Sequence, residues 1–172
     1  MNTGIMPEQT PVTGREDKKG LSAPLQALVE FYDAFNSRDL DKMSKNWAQT
    51  DEIAMDNPLG GIKRGWKEIQ YVYERIFKGP AKVYVEFYDY TIHEAGDIFY
   101  AVGRERGEFR APETVINLAI RTTRIYKLID GQWRQIHHHG SIDDPELLAR
   151  YQSAVKSGSK RSGTLPDNSR NG

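Results

Sequence analysis

The sequence predicts an α+β fold in which one curved sheet, mixed or antiparallel, wraps around N-terminal helices. Apolar residues recur at helical spacing in the first part of the chain, up to the pair Gly79-Pro80. After that pair the pattern changes to strict alternation, which is typical of strands. The dipeptide Asp130-Gly131 then separates two strand-like runs, and such a pair readily adopts the positive φ angles of a two-residue hairpin turn. Helices followed by consecutive antiparallel strands define an α+β domain.

Three helices are predicted before the strands begin. Ser22 can cap the first, with Pro24 tolerated in its first turn, and the helix should end near residues 36–38. Asp39 can cap a second, short helix. The third helix should start after Gly65 and stop at the Gly79-Pro80 pair.

The strands are predicted from alternation and from turn residues. Gly103 and Gly107 within one strand indicate a bulge or bend, which a curved sheet needs. A short closing helix is expected over residues 144–155. The predicted strands cover residues 52–56, 83–88, 98–109, 113–129 and 132–141.

The chain of 172 residues is most simply one domain with two tails. The domain is expected to cover residues 21–155. Residues 1–20 and 156–172 are polar and contain few large apolar groups, so both are predicted to be disordered.

Composition excludes several classes of function. Lys plus Arg is 24 and Asp plus Glu is 24, so the net charge is zero and a nucleic-acid partner is not expected. No apolar run approaches the roughly 18 residues of a membrane span, so no membrane association is expected. There is no cysteine and no apolar signal segment at the N-terminus, so a cytoplasmic location is expected.

The order of elements and the motif at residues 123–141 resemble a known superfamily. The motif reads T-R-I-Y-K-L-I-D-G-Q-W-R-Q-I-H-H-H-G-S. It is similar to T-R-x-W-x-x-x-D-G-x-W-x-x-x-H-x-H-x-S of the calcium/calmodulin-dependent kinase II association (hub) domain, differing at Tyr126. The chain thus resembles, over residues 22–142, the SnoaL-like branch of the nuclear transport factor 2-like superfamily. The resemblance implies a cone-shaped, cystatin-like fold with an internal pocket between sheet and helices.

Two arginines are candidate ligand-binding residues. Arg104 and Arg124 are twenty residues apart, as are two pocket arginines of the kinase hub domain, and Arg124 occupies the matching T-R motif. In that domain the pair lines a cavity that accepts small carboxylates, and a guanidinium suits a carboxylate bidentately. The alternative is that both arginines form cross-strand surface pairs with Glu105, Glu108 or Glu113.

Asp56 is a candidate catalytic base. The run A-M-D-N-P-L-G-G-I-K-R-G resembles the ketosteroid isomerase segment V-E-D-P-V-G…G, whose aspartate moves a proton across a steroid, and Asp56 precedes Gly65 by the same nine residues. A carboxylate facing an apolar pocket would suit proton transfer. The alternative is that Asp56 only starts the following loop by bonding its own backbone.

Three aromatic residues are further candidates for ligand contact. The resemblance places Phe31 where ketosteroid isomerase has its oxyanion-hole tyrosine, with Tyr32 one residue away and therefore about 100° around the helix. The second oxyanion aspartate falls at or next to Arg124. Without that oxyanion hole, true ketosteroid isomerase activity is not expected. Trp66, at a core or rim position, completes the predicted aromatic contacts.

The three consecutive histidines at residues 137–139 are a candidate metal site. His137 and His139 should share one strand face, and two imidazoles can begin a zinc site. A third ligand is missing at any standard spacing, although Asp143, Asp144 and His93 are available. We therefore predict no metal and no cofactor. His139 is instead a candidate general base, and the alternative is a hydrogen-bonded strand end.

Three functional hypotheses follow from these residues. The first is a small-molecule-binding domain that holds a partly apolar carboxylate through Arg104 and Arg124. The second is an isomerase or dehydratase that uses Asp56, with His139, and no cofactor. The third is a structural oligomerisation domain. Because one sheet face carries tyrosines and apolar groups, a homodimer or larger homo-oligomer is expected in each case.

Overall fold

The structure is a computed structural model that describes residues 4–161. In these residues, four helices pack with one open, six-stranded mixed sheet. The strand order is β2-β1-β6-β5-β4-β3, and β1 and β6 are parallel whereas the other neighbouring strands are antiparallel. This is the predicted α+β class. The elements are α1 (Ala23–Asn36), α2 (Leu40–Asn46), β1 (Ala54–Asp56), β2 (Ile62–Arg64), α3 (Gly65–Lys78), β3 (Lys82–Ala95), β4 (Ile98–Ala111), β5 (Thr114–Ile129), β6 (Gln132–Ser141) and α4 (Pro145–Arg161).

The helix ends follow the predicted signals. The Ser22 side chain accepts a hydrogen bond from the Leu25 amide, and the Asp39 side chain accepts one from the Lys42 amide. These bonds satisfy backbone donors that have no partner within the helix. The third helix begins at Gly65, whose φ is 72°. The short strand β2, just before it, was not predicted.

The β5–β6 hairpin is confirmed. Asp130 and Gly131 have φ angles of 51° and 77°, as a twisted two-residue turn requires. The resulting register pairs Arg124 with His138. A register shift then follows between Ile125 and Tyr126.

The sheet has an inner face, which packs on the helices, and an outer face. Alternation along β5 buries every second residue, including Ile116, Leu118 and Ile120. These contribute to one core with Leu28 and Phe31 of α1. The outer face carries Tyr100, Val102, Arg104, Arg121 and Thr123.

The sheet bends where a glycine was expected to permit it. Pairing between β3 and β4 shifts between Tyr88 and Thr91, and Asp89 within the shift has a φ of 50°. A Cβ on Gly103 would lie 2.6 Å from the Cβ of Tyr90, so only glycine fits where β4 passes this irregular part of β3.

The N-terminal segment differs from the prediction of disorder over residues 1–20. Val12 is buried and exchanges two backbone hydrogen bonds with Phe87, while Glu8 does the same with Tyr90. The reason is that β3 is an edge strand, whose free backbone groups the segment satisfies. Residues 1–3 lie outside the described residues.

The C-terminal boundary also differs. Helix α4 continues to Arg161, beyond the predicted end at residue 155. Tyr151 packs edge-on against Phe109 at 5.4 Å between ring centroids, and the Gln152 side chain donates to the carbonyl of Leu59. These contacts anchor the helix over the inner face. The rest of the predicted tail, residues 162–172, lies outside the described residues.

None of the helices within residues 4–161 is both long and apolar enough to cross a membrane.

Candidate functional site

A large cavity lies between the inner face of the sheet and helices α3 and α4. Its volume is about 1590 Å³, and much of its wall is apolar, with Phe109, Ile116, Leu118 and Ile120 contributed by the sheet. Polar and charged residues also line it, and three of them lie on neighbouring central strands: Glu105 on β4, Arg124 on β5 and His138 on β6.

Arg124 and Glu105 form an ion pair within the core. Nη2 of Arg124 lies 2.7 Å from Oε1 of Glu105, and the Arg124 side chain is only 2% exposed. Nη1 of Arg124 donates to the side-chain oxygen of Gln135 at 2.8 Å, and Nε donates to the Tyr32 hydroxyl at 3.3 Å. The Tyr32 hydroxyl in turn donates to the same Glu105 oxygen at 2.6 Å. The guanidinium carbon lies 3.5 Å from the ring centroid of Phe31, so the cation is also stacked on an aromatic face.

This network fixes the charge states of its members. Burial opposes the charge of Arg124, but the oxygens of Tyr32 and Glu105 outweigh that effect, so the pKa of Arg124 is raised. Burial raises the pKa of Tyr32 well above its ordinary value, although the Arg124 charge opposes this. Burial also raises the pKa of Tyr73 to about 12. Arg124 is therefore a permanent cation, and the tyrosines are neutral hydrogen-bonding groups.

His138 is an uncharged member of the cavity wall. Burial, followed by the nearby charge of Arg124, holds the pKa of His138 well below its ordinary value. Its Nδ1 is buried and has no hydrogen-bond partner among residues 4–161. His138 is therefore a neutral polar group beside Arg124 in the cavity wall.

The structure does not bring Arg104 and Arg124 together. Arg104 lies on the outer face, with its side chain 51% exposed and its Nε 3.3 Å from Asp89. The register pairs Arg104 with Arg121, and pairs Arg124 with Ala101. Because side chains alternate between faces, the two arginines project to opposite sides of the sheet. The expected two-arginine pocket is therefore absent from the described residues.

Asp56 and His139 meet each other, but on the outer face. Oδ2 of Asp56 lies 2.8 Å from Nδ1 of His139, and their side chains are 29% and 52% exposed. Asp56 pairs with His139 across the parallel β1–β6 ladder, so both point away from the cavity. The expected placement of Asp56 in the internal pocket is thus not observed.

The next residue, Asn57, lies at the cavity instead. It lines the cavity, and its side-chain oxygen accepts a hydrogen bond from the Leu59 amide. Aligned on the proline rather than on the glycine, the aspartate of the V-E-D-P-V-G segment falls at Asn57, before Pro58. An amide cannot act as a general base, so a ketosteroid-isomerase type of base is not found at this position.

The aromatic candidates are placed at different depths. Phe31 lines the cavity, and Tyr32 lies behind it within the ion-pair network. Trp66 is partly buried and packs against the core, without lining the cavity.

Two cavity residues were missed as site candidates, although the sequence contained a signal for both. Glu105 shares its parity on β4 with Phe99 and Phe109, which indicates an inward position. His138 lies between two histidines predicted to share one face, so it had to point to the other face.

Comparison with known families identifies the domain. A model of the SnoaL-like domain matches residues 25–145. The chain belongs to the SnoaL-like domain family. The predicted resemblance is therefore confirmed at the level of family and fold.

Structural relatives of this SnoaL-like domain have the nuclear transport factor 2-like fold. A proposed dehydratase of the NTF2-like family from Streptomyces avermitilis is similar, with a TM-score of 0.64 and 17% identity over 69% of this chain and 93% of that one. The CaMKII hub of S. rosetta is similar too, with a TM-score of 0.61 and 17% identity over 73% of this chain and 98% of that one. At these identities the likeness shows the fold.

A curated relative of this SnoaL-like domain is longer. The F-box protein SKIP8 of Arabidopsis thaliana is 22% identical over 148 residues, which cover 81% of this chain. The match spans 59% of the relative, so the chain corresponds to only about three-fifths of that protein.

Proposed function

We propose that this SnoaL-like domain binds a small, largely apolar molecule in the cavity between its sheet and helices through one uncharged polar group, a hydroxyl or a carbonyl. The observation that carries the proposal is the placement of Glu105, Arg124 and His138 among the apolar residues that the sheet contributes to the wall, such as Phe109, Ile116 and Leu118. Ligand pockets typically combine an apolar lining with a few convergent polar groups. The volume of about 1590 Å³ is ample for such a molecule.

The charge at the polar wall favours a neutral ligand. The cation of Arg124 is offset by Glu105 at 2.7 Å, and the low pKa of His138 keeps its imidazole neutral. A carboxylate beside these three residues would therefore add a negative charge that Arg124, already paired with Glu105, does not compensate. A hydroxyl or carbonyl could instead lie beside the neutral His138 without adding a charge to the wall. The carboxylate suggested by the two-arginine spacing becomes the competing ligand class.

The experiment is a titration with ligands that share one chain and differ in the head group. We expect 1-octanol and 2-octanone to raise the unfolding temperature and to bind by calorimetry, and octanoate to bind more weakly. If octanoate bound most tightly, the ligand would be an anion and the charge argument would be wrong. If none of the three bound, the cavity proposal itself would lose its support.

Two tryptophan substitutions on neighbouring positions of β5 locate the binding. Leu118 lines the cavity, whereas Asn117 is exposed on the outer face. Leu118→Trp should project a larger side chain into the cavity and weaken binding, while Asn117→Trp should leave binding intact. Equal effects of the two substitutions would place the ligand elsewhere.

Homo-oligomerisation is a second part of the proposal, and the outer face supports it. Tyr100, Val102 and Val115 are large apolar residues that remain exposed there. Apolar groups clustered on one sheet face favour contact with a second copy of the chain. Light scattering coupled to size exclusion should report a dimer or larger species, and Val102→Glu should dissociate it. A monomeric wild-type protein would contradict this part.

A proton-transfer enzyme is the alternative function, favoured by the contact between Asp56 and His139. A carboxylate that holds an imidazole at 2.8 Å is an arrangement used in general-base catalysis. Its substrate would have to enter the outer groove of about 460 Å³, which Arg104, Arg121 and His139 line. Turnover of an enolisable ketone, lost in His139→Gln, would support this function. Turnover that survives in His139→Gln would exclude it.

A further inference from the structure

A cluster of three potential metal ligands lies on the outer face, separate from the cavity. Asp56, His137 and His139 each offer one ligand atom, and these atoms lie within 4.8 Å of one another. We propose that the three side chains bind a divalent first-row transition ion, with zinc as the preferred metal. The proposal is independent of the cavity ligand, because none of the three residues lines the cavity.

Strand pairing creates the cluster. Ala54 and Asp56 of β1 pair in parallel with His137 and His139 of β6, across 83 positions of sequence. His137 and His139 are two residues apart and so share a face, and Asp56 lies beside His139 on the same face. The ligands therefore come from two adjacent, hydrogen-bonded strands, which hold them at a fixed separation.

The hydrogen bond of His137 prepares it for metal binding. Its Nδ1 lies 3.0 Å from the carbonyl oxygen of Ala54. A carbonyl only accepts hydrogen bonds, so Nδ1 carries the proton and Nε2 keeps a free lone pair. A histidine whose other ring nitrogen donates to a backbone carbonyl is the common arrangement among metal-bound imidazoles, since it fixes the tautomer and the ring.

Asp56 and His139 need little movement to share an ion. Their ligand atoms are 2.8 Å apart, whereas two ligands of a tetrahedral zinc are separated by about 3.4 Å at ordinary bond lengths. The ion would replace the proton that the two atoms share, and that proton would pass to solvent. The exposure of His139 leaves a path by which the ion can enter.

The ligand set determines which ions fit. Two imidazoles and one carboxylate suit zinc and neighbouring transition ions, whereas calcium and magnesium prefer oxygen ligands throughout. Three protein ligands also leave a coordination position for water, as in open zinc sites. Arg121, which lines the same groove as His139, has its charge partly balanced by Asp143 at 3.9 Å.

The test is a titration of the full chain, without an affinity tag, with Zn²⁺ by calorimetry and with Co²⁺ by visible absorption. We expect one ion per chain and the visible bands of a four-coordinate Co²⁺. Loss of a residue that only contacts a ligand typically lowers metal affinity about 10- to 100-fold. His137→Gln and Asp56→Asn each remove a ligand, so each should weaken zinc binding by more than that. Metal-free thermal unfolding of each variant shows that it is folded.

Two controls show whether zinc binding needs the folded cluster of three ligands or only the run of adjacent histidines. His93→Gln removes a histidine that contacts Thr91 and Tyr100 instead of the cluster, so it should bind zinc like the wild type. A peptide spanning residues 134–142 contains the three histidines without Asp56 and should bind far more weakly. The proposal is overturned if the peptide matches the protein, if Asp56→Asn binds normally, or if the wild-type chain does not bind Zn²⁺.

Discussion

Nη2 of Arg124 donates to Oε1 of Glu105 at 2.7 Å, and both side chains are almost completely removed from water. The pair connects two central strands of the sheet to Tyr32 of α1, which contributes its hydroxyl to the same carboxylate oxygen. Charges this deeply buried are tolerated only when they are paired and hydrogen-bonded. The pair is therefore at once a structural link and a charged part of the cavity wall.

Breaking that pair should be costly. Arg124→Met leaves the Glu105 carboxylate buried without its cation, and we expect the free energy of unfolding to fall by about 3–5 kcal/mol. Adding Glu105→Leu removes the stranded charge, so the double variant should be less destabilised than the sum of the single ones. Urea unfolding of the four proteins measures this cycle.

Arg104→Met is the matched control for the same experiment. Arg104 pairs with Asp89 on the outer face, where solvent weakens the interaction. Its loss should cost no more than about 1 kcal/mol. Comparable losses for Arg104→Met and Arg124→Met would show that the Arg124 pair is not buried in the folded protein.

Most of the helices and strands could be predicted from the sequence because their strongest signals are local. The Asp130-Gly131 turn, the Ser22 and Asp39 caps and the stop at Gly79 each depend on the conformational preference of one or two residues. Tertiary structure therefore had little opportunity to override them. The N-terminal segment was mispredicted for the opposite reason, because its order comes from pairing with the edge of β3 some eighty residues away.

The site was harder to predict because it depends on which face each side chain takes. The two-residue turn at residues 112–113 sets the register that pairs Arg104 with Arg121 and leaves Arg124 on the other face. If the turn took in one residue more of β5, the register would shift by one residue and Arg104 and Arg124 would lie on the same face. A spacing of twenty residues does not contain that information. Likewise, no local feature shows that β1 pairs in parallel with β6, which alone brings Asp56 to His139.

The N-terminal segment should contribute to stability. Val12 is buried and bonded to β3, so Val12→Ala is expected to lower the free energy of unfolding by about 1–3 kcal/mol. Ile5, which is exposed, supplies the control, because Ile5→Ala should change stability by less than about 0.5 kcal/mol. Chemical denaturation measures both. Equal stability of the two variants would mean that the segment does not pack on β3 in solution.

Glycine 107 should be required for the close contact of β3 and β4. A Cβ at Gly107 would overlap the backbone carbonyl of Tyr84, which cannot move without separating the strands. Gly107→Ala should therefore destabilise the protein by about 1–3 kcal/mol, as overpacking generally does. Gly158→Ala is the comparison, since Gly158 lies in helix α4 with space around it and alanine favours helix. A thermal melt should show opposite shifts, and a Gly107→Ala protein as stable as wild type would contradict the described packing.

His138 should make the protein less stable in acid. Burial and the charge of Arg124 depress its folded-state pKa well below its ordinary value of 6.5, so the unfolded chain binds a proton more readily than the folded one. The stability that neutral His138 contributes is complete above about pH 6.5 and is lost as the pH falls, at up to about 1.4 kcal/mol per pH unit.

His138→Leu cannot titrate, so the stability of wild type relative to this variant should fall between about pH 7.5 and pH 5 by an amount set by that slope. Because the measured quantity is a difference between two proteins, acid effects on other groups cancel, and a constant difference across the range would show that His138 is solvated rather than enclosed beside Arg124.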